Sequence, residues 1–228
     1  MSNARNIASG AKFVDTAGDT MTGALNVNGG NFNLAPDDAA AHRYMFLNTG
    51  ATQDGHIILR RALTNKHQLT SKQDGSFNIY GYAASGDVFN INSSGYAIMP
   101  KQPSFGAYNA TGNNAADITF ANTFFNIGNH FVASTGIFTA PVAGRYLFTW
   151  NGLHGTSPTS YARVNFKVNG SNSTLYGDSL TSDGNGIYVA TSLSGILNLA
   201  ANDTVRLYNE GNTVYGVQYA MFSGCLLG

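Results

Sequence analysis

The 228-residue chain carries twelve Lys and Arg against twelve Asp and Glu, so its formal charge is zero and only 11% of it is charged. With no basic face to neutralise phosphates, it is not built to clamp nucleic acid or an anionic membrane. An apolar content of 43%, 12% aromatics and twenty-seven glycines predict many short strands joined by turns, a mainly β protein. The single cysteine, Cys225, excludes an intrachain disulfide framework and a multi-cysteine zinc site, and is expected to be a small buried hydrophobe. The opening residues hold no apolar run of the signal-peptide kind, and no apolar stretch reaches the roughly 18 residues that span a bilayer. Export by that route and membrane insertion are therefore not expected.

In chain order, Gly18 to Gly30 (GDTMTGALNVNGG) begins with a turn and continues with Leu25 and Val27 at strand alternation; Phe32 and Leu34 resume it after the Gly-Gly break. Pro36 to Leu47 (PDDAAAHRYMFL) predicts a short helix with Asp37 or Asp38 near its N-terminus. Residues 1–50 read as an attachment and oligomerisation segment containing this helix. From residue 51 to 102 the pattern becomes hairpins, HIILRRAL, HQLTSKQDGSFNIYGY and DVFNINSSGYAIM, punctuated by Asp54-Gly55, Asp74-Gly75, Gly86-Asp87 and Ser94-Gly95. Strands so short bury too little apolar area to offset their ordering entropy, roughly 1 to 2 kcal/mol per residue for the backbone, and leave open edges. Three intertwined chains covering one another remove both problems, so an intertwined β-rich shaft in a homotrimer is expected. The GDTMTG string resembles a segment that recurs in tail fibres of tailed bacteriophages, and DVFNINSSGYAIMPKQPSF resembles the end of a fibre shaft leading into a head.

Residues 103–228 carry more aromatic and β-branched residues. Gly136 to Pro141 ends one strand, and Gly144 opens another with Tyr146, Phe148 and Trp150 on one inward face. Val164, Phe166 and Val168 alternate before Asn169-Gly170. Leu193 and Ile196 to Leu199 lead to Asn202-Asp203, Val205 and Leu207 alternate, and Tyr219 to Leu227 closes the chain, a jelly-roll rhythm. In order and spacing, Gly136, Phe138, Ala140, Pro141, Gly144, Tyr146, Phe148, Asn169, Gly170, Leu197, Leu199, Asp203, Val205, Phe222, Ser223, Gly224, Leu226 and Leu227 resemble the C1q-like head of the C1q and tumour-necrosis-factor superfamily. One departure is Asn202 where that family has Gly before the Asp, so the turn there is expected to be made by Asn. The resemblance implies a ten-strand jelly-roll β-sandwich that packs as a homotrimer with both termini at its base.

No catalytic constellation accompanies these motifs. His42, His56, His67, His130 and His154 form no HExxH or HxH pair, and neither a GxSxG elbow nor a P-loop lysine occurs. A glycosidase needs two carboxylates held a few ångströms apart, and the head offers only Asp117, Asp178, Asp183, Asp203 and Glu210, with Asp203 expected in a turn. No cofactor and no resident metal are expected. If strands alternate in direction, residues 109–122, 151–160, 181–186 and 209–216 form the apical loops. His154, Asp183, Asn185, Glu210, Asn212 and Tyr215 are then the candidate receptor-binding residues, suited to sugar hydroxyls and sugar faces. Asp183 or Glu210 from three chains is a candidate apical Ca²⁺ ligand.

The sequence thus reads as a non-enzymatic phage fibre protein of the virion, docking on tail or capsid proteins through its N-terminal segment and binding a host-surface glycan or protein through its head. A structural fibre or trimerisation cap is the alternative, and a surface depolymerase a third.

Overall fold

The structure, a computed structural model, describes residues 52–155, 161–180, 188–216 and 218–228. The GDTMTG string and the expected helix at Pro36 to Leu47 lie outside the described residues.

Three antiparallel sheets make up the described fold. The first is a meander in chain order: β1 (Gly55–Arg61), β2 (Thr64–Ser71), β3 (Phe77–Gly81), β4 (Gly86–Ile91) and β5 (Ala97–Ile98). Its turns follow local chemistry. Asp74 Oδ1 accepts the Ser76 N–H at 2.9 Å beside Gly75 at φ +81°. Asn92 Oδ1 accepts the N–H groups of Ser94 and Tyr96 around Gly95 at φ +85°, as the Asp-Gly and Ser-Gly punctuation predicts. The HIILRRAL run departs from its pattern. Its strand stops at Arg61, and Ala62 and Leu63, at φ 49° and 63°, make a mirror-image two-residue turn without Gly or Asn, a turn that its residue types do not signal.

The other two sheets form a sandwich. One is five-stranded in the order β14 (Val189–Leu199), β11 (Gly144–His154), β16 (Ala220–Leu226), β6 (Ser104–Thr111) and β8 (Thr119–Ile127). The facing sheet runs β13 (Ser171–Leu180), β12 (Tyr161–Val168), β15 (Thr204–Gly211), β10 (Ile137–Thr139) and β9 (Phe131–Val132), with β7 (Ala116–Asp117) also paired to β15. This is the expected jelly roll. Tyr146, Phe148 and Trp150 alternate inward and are buried, as predicted. Phe222 sits at the centre of an aromatic core, its ring 5.0 to 6.4 Å from those of Phe105, Phe120, Phe131, Phe148 and Phe166, distances at which edge and offset packing adds to area burial.

The ends of the sandwich are fixed by turns and backbone pairing. Asn169 and Gly170 take φ 51° and 82°, and Asn202 takes φ 71°, so Asn makes the turn where the resembling family has Gly. Asp203 is a turn residue. It accepts from Asn169 Nδ2 and the Ala200 N–H, both at 2.8 Å, and the Asn169 bond foremost holds its carboxyl below the ordinary range. At the same end, Leu226 N–H donates to Pro103 O and Arg145 N–H to Gly228 O, each at 3.0 Å, and Gln102 Nε2 donates to Leu226 O. Both chain ends of the sandwich therefore meet at its base. The strands run further towards the opposite, apical end than expected, to Thr111, His154 and Gly211.

Replacing Phe222 with Ala removes the ring shared by five aromatic neighbours. A loss of about 3 to 5 kcal/mol is expected, read as a lowered denaturation midpoint with unchanged far-UV circular dichroism below the transition.

Candidate functional site

Strand direction delivers the end of β11, the start of β14, the β6–β8 connection and residues 212–216 to the apex. The last of these is locked into place from below. Val214 bridges His154, Tyr215 N–H donates to Leu153 O at 2.7 Å, and Val214 N–H donates to Gly112 O at 2.8 Å. The buried Asn209 donates through Nδ2 to Asn113 O at 3.0 Å and Asn212 O at 2.8 Å. Gly216 lets the loop lie against β6, since a Cβ there would stand 1.6 Å from Ala110 O.

His154 is at the centre of this lock. It is fully buried, with Nδ1 3.1 Å from Asn212 O and Nε2 2.8 Å from Thr191 Oγ1, which also accepts the Trp150 Nε1–H at 2.9 Å. A carbonyl can only accept, so Nδ1 carries the proton and Nε2 accepts from the Thr191 hydroxyl. Neutral imidazole satisfies every group in this chain. Burial, opposed by the bond to Asn212, pushes the His154 pKa below its ordinary value.

The predicted contact residues consequently divide. His154 and Asn212 are buried and hold the loop from inside; this corrects the expectation that their side chains face a receptor. Alternation explains it, because His154 shares the inward parity of Tyr146, Phe148 and Trp150. Glu210 belongs to the outer face of the six-stranded sheet. There its Oε1 accepts from Asn165 Nδ2 at 2.9 Å and its Oε2 lies 3.8 Å from Arg163, so it is not gathered with Tyr215. Asp183 and Asn185 lie outside the described residues. Among the described residues, no group of three or more His, Cys, Asp or Glu comes together, and no helix is long and apolar enough to cross a membrane.

Tyr215 is exposed and joined by two tyrosines that the sequence reading did not single out. The rings of Tyr188 and Tyr215 are 4.6 Å apart, those of Tyr215 and Tyr219 5.7 Å, and all three are exposed, Tyr219 at 57%. The hydrogen bond between Tyr215 and Tyr188 foremost raises the Tyr215 phenol above its ordinary range. Exposed Gln218, with its N–H on Asn109 Oδ1 at 3.3 Å, borders the row.

The row stands at the apical margin of an unusual surface. The outer face of β14-β11-β16-β6-β8 presents Phe124 and Ile196, 63% and 58% exposed, with Phe125, Ile127 and Met221. Phe124 stacks on Tyr108 at 4.3 Å. A groove of about 220 Å³ lies between Phe125, Leu147 and Cys225. Cys225 is therefore half-buried on the outward face rather than buried as expected, because Phe222 and Gly224 take the inward parity of β16. Arg145 is the one Asp, Glu, Lys or Arg on these five strands. The other sheet faces water with ion pairs, Lys167 to Asp117 at 2.9 Å and Arg206 to Asp117 at 2.7 Å. Exposed apolar patches of this kind mark interaction surfaces.

The His154 lock predicts a pH dependence. Its folded pKa is depressed, so unfolded chain takes up the proton first; the contribution is whole above about pH 6.5 and is lost as pH falls from there towards the folded value. His154→Gln, which does not titrate, is expected to be less stable than wild type at pH 8 and to lose less further stability on going to pH 5. Denaturant midpoints of the two proteins at both pH values check this, and parallel losses would exclude His154 as the source.

Among solved structures, the globular domain of zebrafish complement 1qA protein matches at 20% identity over 56% of this chain and 98% of that one, with a TM-score of 0.46. Murine APRIL at pH 5.0 matches at 13% identity over 56% of this chain and 100% of that one, with a TM-score of 0.45. The C1q domain family matches residues 105–227. That span is more than half of the chain and contains the sandwich from Phe105 in β6 to the end of β16; the chain belongs to the C1q domain family.

Proposed function

We propose that this protein is a non-enzymatic, homotrimeric fibre protein of a bacteriophage virion, whose C1q head binds a host-surface receptor at its apex. The observation that carries the reading is the exposed Tyr188–Tyr215–Tyr219 row on a base locked by His154, Asn209 and Gly216. Three tyrosines held open to solvent beside amide side chains suit a receptor that offers both flat apolar faces and hydroxyls, as a glycan does. The outer face of the five-stranded sheet, with Arg145 at its basal end as the one charged residue, supports the trimer. Identical copies meeting around an axis bring each side chain near its own counterpart, so a charge-poor face limits self-repulsion and loses apolar exposure at once. With that face towards the axis, three tyrosine rows surround its apical mouth, and weak sites engaged together gain avidity. The GDTMTG string supports the fibre assignment, with residues 1–50 as the docking segment for other virion proteins and residues 51–102 as the shaft. Of the two candidate Ca²⁺ ligands, Glu210 is engaged with Asn165 and Arg163, so an apical Ca²⁺ site would draw on Asp183.

The second reading is a trimerisation cap with a structural role only. It is favoured by the same charge-poor sheet, whose burial needs no receptor.

Binding of full-length protein to host cells separates the two. Tyr188→Ala, Tyr215→Ala and Tyr219→Ala together are expected to lower apparent affinity at least about tenfold, a loss of roughly 1.4 kcal/mol, with the mass by light scattering unchanged. Undiminished cell binding by this variant, at trimer mass, would leave the cap reading standing.

A further inference from the structure

The meander β1–β5 is inverted with respect to burial. Its buried side chains are polar, Thr70, Ser76 and Asn78, and they belong to a face laced by its own hydrogen bonds, with Asn78 Oδ1 left unpartnered among the described residues. Gln68 Nε2 donates to His56 Nδ1 and Thr70 Oγ1, both at 3.0 Å, Tyr82 O–H donates to Gln68 Oε1 at 2.8 Å, and Asn78 Nδ2 donates to Asp87 Oδ1 at 2.6 Å. Ile58 and Ile98 are the exposed apolar exceptions on that side. On the other face, Ile57, Leu69, Ile79 and Phe89 lie directly opposite one another across four strands. Leu59, Phe77, Ile91 and Ala97 flank them by alternation. None of these eight side chains is buried, and Leu59 is 50% exposed.

We infer that this apolar face is covered by the same face of two further copies of the chain, so that three meanders form a closed prism below the heads. The inference rests on the head trimer proposed above and extends it to a second interface. Two observations select the occupant. The stripe and the four apolar positions named beside it carry no Asp, Glu, Lys or Arg, and the charges on this side, Arg61 and the Lys101 that packs on Gly86, stand at its margin. A charge-poor centre suits identical faces meeting around an axis and offers a charged foreign partner nothing to pair with. The connection is also short: five residues, 99–103, separate Ile98 of β5 from Ser104 of β6. They span at most about 20 Å when fully extended. Heads that share an axis therefore hold three apolar stripes within reach of one another at high effective concentration.

The test uses the full-length chain with Cys225→Ser as background and a single new cysteine at Ile79, at Ile57, at Met221 on the head sheet, or at Asn90 on the polar meander face. Each is treated with a bis-maleimide of about 10 Å reach, the spacing of sheets packed face to face. Ile79→Cys and Ile57→Cys are expected to give covalently joined chains in most of the protein, Met221→Cys to do so through the head, and Asn90→Cys to stay single. Joining at Met221→Cys with single chains at both meander positions would overturn this inference and leave the head trimer intact. In that event, protection of Ile79→Cys from a monofunctional maleimide would assign the face to residues 1–51 of the same chain, and free reaction would mean an open face. Single chains throughout, at monomer mass, would overturn both readings.

Discussion

A β-strand turns alternate side chains to opposite sides, so every sheet has two faces, and a single chain of this length covers only some of them. The sandwich buries one face of each of its two sheets in the aromatic core around Phe222. Among the described residues the meander has no second sheet laid on it, and none of the eight apolar side chains on its one side is buried. Every feature with functional weight follows from how the remaining faces are finished. The six-stranded sheet closes its outer side with Asp117, Lys167 and Arg206, and Lys167 also lies 3.5 Å from the centre of the Tyr208 ring. The five-stranded sheet leaves its outer side apolar and almost without charge. One side of the sandwich is finished with charge, the other with apolar side chains.

The apex obeys a different constraint, the need of buried polar groups for partners, met for the backbone carbonyl of Asn212 and the His154 ring but not, among the described residues, for Asn209 Oδ1 and Asn212 Nδ2. Residues 212–216 cross the open end of a sandwich whose interior is aromatic, and their carbonyls need donors there. Asn209 Nδ2 and His154 Nδ1 both serve Asn212 O, while Thr191 and Trp150 complete the chain beneath. A lock made of neutral hydrogen bonds needs no ion to hold it. It leaves Tyr188, Tyr215 and Tyr219 above it exposed to solvent.

Much of the sandwich was legible in the residues because turn chemistry and period are local. Asn169-Gly170 and Asn202 require φ above zero, and the parity of Tyr146, Phe148 and Trp150 could be counted directly. The same count, carried four residues further along β11, places His154 inside; chemical expectation for a polar residue had displaced it outwards. The charge-poor face was also present in the sequence, as five strands holding one charged residue, but the pattern emerges only once pairing shows which five strands share a sheet. The tyrosine row was not legible. Tyr188 and Tyr219 are thirty-one positions apart and meet through the antiparallel pairing of β11 with both β14 and β16, which no local pattern announces. In the meander, the Ala62-Leu63 turn escaped notice because neither residue favours positive φ.

The pairing at the base bears on how the domain carries load. Chain enters the sandwich at Ser104 and runs up β6, which lies between β16 and β8 and is antiparallel to both. A pull transmitted from the residues before Ser104, resisted at the apex, is directed along β6 rather than across it. Hydrogen bonds on both flanks of the strand are then strained together and must give way together, whereas a strand peeled sideways from a sheet edge loses them one at a time. The link from Gln102 to Leu226 adds a clamp at the point of entry. By topology alone, the head is anchored through an interior strand held on both sides.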